Sequence, residues 1–95
     1  MTDSKKISIL VKKSFYKDFR KIPEHYQIRI KEKIDQLREN PLLEKQLKGS
    51  LGHIRRIRIG IYRLGYVYEE SELTILILKA GPRKDFYGDI SRLFL

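Results

Sequence analysis

The sequence predicts an α+β fold in which an N-terminal strand and a helical hairpin precede an antiparallel three-strand meander. Three observations carry this. Apolar residues alternate at the start (Ile7, Ile9, Val11), recur at helical spacing through the next thirty or so positions, and alternate again around Gly60-Ile61. Nothing along the 95 residues repeats or reads as a linker, so one domain over residues 1–95 is expected.

Residues 6–12 form the first strand, with Ser8, Leu10 and Lys12 on its second face. Ser14 is a plausible N-cap for a short helix whose Phe15, Phe19 and Ile22 fall at i, i+4 and i+7. Pro23 restarts the chain as a second helix at its first position, with Glu24 favourable in the first turn. Tyr26, Ile30, Ile34 and Leu37 are its buried stripe. The helix ends at Asn40-Pro41, because the residue before a proline resists the α region. Residues 42–52 read as a loop.

Two strands then flank Gly60-Ile61, where glycine at the first central position suits a two-residue II′ turn. Such a loop fixes the register: Ile59 faces Tyr62, Arg58 faces Arg63, Ile57 faces Leu64 and Arg56 faces Gly65. Ile57, Ile59, Tyr62, Leu64 and Tyr66 share one face; Arg56, Arg58 and Arg63 share the other, beside the bare backbone of Gly65. After a turn at residues 69–72, the nearly all-apolar residues 73–79 predict a central strand covered on both faces. Gly81-Pro82 is expected to break it, and residues 89–94 to form a short terminal helix.

Composition narrows the function. The hydrophobic fraction of 41% argues against disorder. Cysteine is absent, which excludes disulfides and thiolate metal sites and suits a reducing cytoplasm. The longest apolar run is too short to span a bilayer, and residues 1–6 lack the apolar core of a signal peptide. A cytoplasmic protein without a membrane partner is expected.

A net charge of +9 fits a nucleic-acid partner bound through its phosphates. Between His53 and Tyr68 stand four arginines and no acid, and arginine is what bidentate phosphate contacts favour. Like charges directly opposite on a sheet cost something like 0.2–1 kcal/mol per pair, so the facing Arg58 and Arg63 point to a bound anion. Lysines on the outer faces of the helical hairpin fit either a solvated surface or a broad docking face on RNA.

His25 and His53 are the only histidines, and both read as surface or loop residues. No cluster of His, Asp and Glu has ligand spacing, so neither a metal nor a cofactor is expected, and a phosphate loop is absent. Chemistry must then come from arginine and tyrosine. RNA can be cut without a metal: the 2′-hydroxyl attacks the adjacent phosphorus once a base takes its proton, and cations stabilise the phosphorane. Cations around a phenol favour its charged form. Tyr87 is the candidate, with base stacking or core packing as its other reading; Tyr62, Tyr66 and Tyr68 fall with the apolar face and read as core.

Leu47-Lys48-Gly49, then Arg56-Ile57-Arg58-Ile59-Gly60-Ile61-Tyr62-Arg63-Leu64, then Ala80-Gly81-Pro82-Arg83 with Tyr87, resemble the RelE branch of the RelE/ParE toxins over essentially the whole chain. The resemblance implies a microbial-ribonuclease-like fold and a type II toxin neutralised by a cognate RelB-like antitoxin. It also implies metal-independent cleavage of messenger RNA in the ribosomal A site. By that likeness Arg63 matches the phosphate-stabilising arginine, Arg83 the arginine at the leaving group and Tyr87 the general base. Arg55, Arg56 and Arg58 stand where the family's strand carries lysines, keeping charge but not a group that exchanges protons. With Lys48 and Lys84 they are the expected phosphate-binding set. Exposed apolar residues at Leu93, Phe94 and Leu95 are expected to contribute to the antitoxin surface. Two alternatives stay open: a ParE-like toxin that poisons DNA gyrase, and a non-catalytic RNA-binding module.

Overall fold

Alternation sorts the strand side chains onto two faces, and helices from different parts of the chain cover each. The computed structural model describes residues 6–94. Its elements are β1 (Ser8–Val11), α1 (Lys13–Lys21), α2 (Glu24–Glu39), β2 (Lys45–Gln46), β3 (Arg55–Ile59), β4 (Tyr62–Glu69), β5 (Thr74–Pro82) and α3 (Arg83–Phe94). The sheet order is β1-β5-β4-β3-β2, with β1 parallel to β5 and every other pair antiparallel. This is the expected α+β arrangement, enlarged by an edge strand and a longer last helix.

One face meets α1 and α2: Ile57, Ile59, Leu64, Tyr66, Ile75 and Ile77 pack with Phe15, Ile22, Ile30 and Leu37. The other meets α3: Ile54 and Leu78, with Val67 and Leu76 beside them, pack with Phe86 and Ile90. β5 feeds both layers, so its apolar run does not alternate with polar residues. The hairpin register is the expected one, Ile59↔Tyr62 and Arg58↔Arg63, and Gly60 has φ +59 at its turn.

Local departures have physical causes. Ser14 does not cap α1, which begins at Lys13. Its hydroxyl instead donates to the Leu78 carbonyl at 2.7 Å. β1 ends opposite Ile77, so beyond that point β5 has an open edge on the β1 side, while on its other side the β4–β5 ladder shifts by one residue between Gly65 and Tyr66. Asp18 completes the cover: one carboxylate oxygen accepts the Ala80 N–H at 3.1 Å and the other meets Lys79 Nζ at 2.8 Å. The same open edge lets β5 continue through Gly81-Pro82 to pair with Arg63 and Tyr62, since an edge strand tolerates proline.

Pro23 lies just outside α2 rather than in its first turn. The expected loop over residues 42–52 contains β2 and a 3₁₀ turn, Gly49–Leu51. The short terminal helix expected at 89–94 starts six residues earlier. Phe86, Ile90 and Phe94, at i, i+4 and i+8, supply its inner stripe. That longer helix also changes the reading of Gly65, whose bare backbone is not open to an anion. A Cβ there would lie 3.1 Å from Phe86 Cζ and 3.2 Å from Ile90 Cδ1, so the glycine lets α3 close on the sheet. Leu93 is exposed, Phe94 is half-buried beneath Lys12 Nζ, and Leu95 lies outside the described residues. Among the described residues no helix is long and apolar enough to cross a membrane.

Candidate active site

The arginines of β3 and β4 divide by side. Arg55, in step with Ile57 and Ile59, turns away from α3 and donates from Nη1 to the carbonyls of Glu44 (2.7 Å) and Leu42 (3.3 Å). Opposite it Tyr66 is fully buried and donates its hydroxyl to the Pro41 carbonyl at 2.7 Å. Burial pushes the Tyr66 phenol up to about 12, against the opposing pull of the Arg55 charge. The pair fastens the connection between α2 and β2.

Arg56, Arg58 and Arg63 share the face toward α3. Arg63 is only 4% exposed, and its Nη1 donates to the carbonyls of Gly60 (3.0 Å) and Tyr62 (2.9 Å) across the hairpin turn. Its Nε is buried without a partner among the described residues. Arg58 opposite is exposed. Arg56 reaches α3, where Nη1 donates to Tyr87 Oη at 3.2 Å.

The first two turns of α3 bring the other candidates in. Arg83 and Lys84 begin the helix, exposed; Tyr87 follows one turn on, 40% exposed, with Phe86 beside it turned into the core. The Arg83 N–H donates to the Ile61 carbonyl at 2.7 Å, which ties the start of the helix to the hairpin tip. Tyr87 stands between two grooves and lines both. One, about 450 Å³, is bounded by Lys45, Gln46, Lys48, Arg56 and Ser91 together with the apolar Leu47 and Leu51. The other, about 570 Å³, is bounded by Ile61, Pro82, Arg83 and Lys84.

The structure therefore gathers Arg56, Lys48, Arg83 and Lys84 around the Tyr87 phenol. Arg55 lies on the opposite face, and Arg58 and Arg63 line neither groove. No acid lines either groove, and among the described residues the ion pairs (Arg38–Asp35, Lys79–Asp18, Arg92–Asp89) use none of these cations. A site of unneutralised cations around a phenol attracts an anion. His25 and His53 are exposed and line neither groove, and no group of three metal-ligating side chains occurs among the described residues. Lys45, Gln46 and Ser91 escaped the sequence reading. The i, i+4 stripe of α3 could have revealed Ser91, whereas a two-residue strand such as β2 has no periodic signal.

A family model described as the ParE-like toxin of type II bacterial toxin-antitoxin systems matches residues 9–91. The chain belongs to the RelE/ParE toxins. The RelE1 toxin of Methanocaldococcus jannaschii is 32% identical over 87 residues, covering 86% of this chain and 96% of that one, which places the toxin in the RelE branch. Among solved structures, the RelB–RelE antitoxin–toxin complex of Methanococcus jannaschii matches at 30% identity and TM-score 0.68, covering 84% of this toxin and 96% of that chain. The RelBE2 toxin–antitoxin complex of Mycobacterium tuberculosis matches at 25% identity and TM-score 0.73, covering 81% and 98%.

Proposed function

We propose that this type II toxin is a metal-independent, ribosome-dependent endoribonuclease that cuts messenger RNA in the A site. The observation that carries this reading is the Arg56 Nη1–Tyr87 Oη hydrogen bond of 3.2 Å, on the ridge between two grooves rich in cations. A guanidinium that donates to the phenol oxygen stabilises negative charge there, and a phenol must carry that charge before it can take the proton of a 2′-hydroxyl. The 2′-oxygen then bonds to phosphorus and the bond to the 5′-oxygen breaks, leaving a 2′,3′-cyclic phosphate. Arg83 neutralises the leaving 5′-oxygen but keeps its own proton, as guanidinium does, so that oxygen is protonated from water. Arg56, Lys48 and Lys84 hold the flanking phosphates, and Arg58 extends that field toward the hairpin tip. Arg63 contributes a fixed charge on the same sheet face.

The regulatory partner in this reading is a cognate RelB-like antitoxin. The two related complexes named above contain such a pair, and Leu42, Leu43 and Leu93 are exposed apolar residues that an antitoxin can cover. Single-turnover cleavage on saturating programmed ribosomes tests the activity. Wild type should cut the message, and Tyr87→Phe should bind equally but cut at least a hundredfold more slowly. Equal rates would reduce Tyr87 to a stacking residue. Inhibition of gyrase supercoiling without cleavage would favour the ParE-like alternative.

A further inference from the structure

The hairpin tip is gripped from both sides of the sheet. Toward α3, Arg63 Nη1 holds the Gly60 and Tyr62 carbonyls, and the Ile61 carbonyl accepts the Arg83 N–H at 2.7 Å. On the opposite side stands Tyr26, in the first turn of α2 and packed with that layer of the core. A Cβ at Gly60 would lie 2.6 Å from Tyr26 Cε1 and 3.2 Å from its Cζ, so the ring edge rests directly on the bare turn. The same ring meets Tyr62 edge-on, with centroids 4.9 Å apart. From its own helix the His25 ring, at 4.5 Å between centroids, and the Arg29 guanidinium carbon, 5.4 Å from the ring centre, hold it in place.

We propose that Tyr26 is a positioning residue for cleavage: from the far face of the sheet it fixes the hairpin turn, and the turn fixes Arg83 at the start of α3. The proposal rests on the endoribonuclease reading and adds a residue that lines neither groove. Two short routes join the ring to Arg83. Gly60, at φ +59, leads directly to the Ile61 carbonyl that accepts the Arg83 N–H. Tyr62 pairs with Pro82, the residue before Arg83. The first N–H groups of a helix have no partner within it, so the place of Arg83 depends on what its N–H meets outside. Glycine brings no side chain to hold the turn, and the Tyr26 ring supplies that packing. A tip that shifts carries Arg83 with it.

Tyr26→Leu removes the ring, and Tyr26→Phe keeps it without the hydroxyl. Amide hydrogen exchange of the free toxin and single-turnover cleavage on saturating programmed ribosomes read the two ends of this chain of contacts. In Tyr26→Leu the Arg83 amide should exchange several-fold faster while the amides of the buried Ile75 and Ile77 keep their protection. The bound cleavage rate should fall at least about tenfold with ribosome affinity unchanged, since a misplacement of about 1 Å can cost roughly a hundredfold. Tyr26→Phe should restore both readings. Tyr26→Met, with an unbranched chain in place of the ring, is the second variant and carries the same expectations as Tyr26→Leu. In an Arg83→Ala background Tyr26→Leu should cost less than it does in wild type. An unchanged Arg83 amide, equal loss of protection at Ile75 and Ile77, or effects that multiply in full with Arg83→Ala would overturn the positioning role while cleavage itself stands. If wild type cuts no message, the endoribonuclease reading falls and the role with it, whatever the amides show.

Discussion

Arg63 has almost no access to water, and its guanidinium is committed to the turn it follows. The carbonyls of Gly60 and Tyr62 share its Nη1, and among the described residues Nε has no partner. A hydrogen bond to a charged group contributes roughly 1.5–3 kcal/mol. Arg63→Ala should therefore lower stability by about 2 kcal/mol, read as a reduced urea midpoint with an unchanged slope. Because the Ile61 carbonyl also anchors the first residue of α3, the same change should slow cleavage by displacing Arg83. Tyr87→Phe should leave the urea midpoint where it is, since the ring is 40% exposed and keeps its edge-on packing with Phe86. Stability and rate together thus separate a residue that holds the site from one that acts in it.

At the scale of elements, the closure of α3 on Gly65 sets the position of Tyr87. A β-branched side chain at residue 65 would collide with Phe86 and Ile90, which already stand within 3.2 Å of a single added carbon. Overpacking of this kind costs typically 1–3 kcal/mol. Gly65→Val should show that loss together with faster hydrogen exchange of α3 amides, while amides of α2 on the other face keep their protection. The hairpin was legible because a two-residue turn leaves one register and because arginine and isoleucine alternate from Arg56 to Ile59. The helical hairpin was legible for the same reason at a different period. The start of α3 was not, because Gly81-Pro82 reads as a break when the open edge of β5 is unknown. Burial of Arg63 was hidden too: its face was correct in the sequence, but only the third helix and the turn carbonyls decide how much water reaches it. Arg55 looked like one more phosphate ligand, and its parity with Ile57 and Ile59 was the available sign that it faces the other way.

Over the whole molecule, the net charge of +9 has two components with different salt signatures. All the cations raise the rate of encounter with a polyanion, and that long-range effect fades as the Debye length falls to about 10 Å at 0.1 M salt. Only cations that touch phosphates release counterions, and each contributes roughly 0.7–0.9 to the slope of log K against log salt. Lys48 lines the first groove, on the α3 face of the sheet. Lys31 lies on α2, across the sheet, with its ammonium 5.9 Å from the Phe19 ring. Equilibrium binding to programmed ribosomes between 50 and 200 mM salt, roughly the range over which such slopes are read, separates the two faces. Lys48→Ala should flatten the slope by about 0.7–0.9, whereas Lys31→Ala should leave it as in wild type and slow association alone. A flattened slope for Lys31→Ala with none for Lys48→Ala would mean that the toxin docks through its helical hairpin. The grooves around Tyr87 would then face away from the RNA, and no arrangement of Arg56 and Arg83 around the phenol could reach a scissile phosphate.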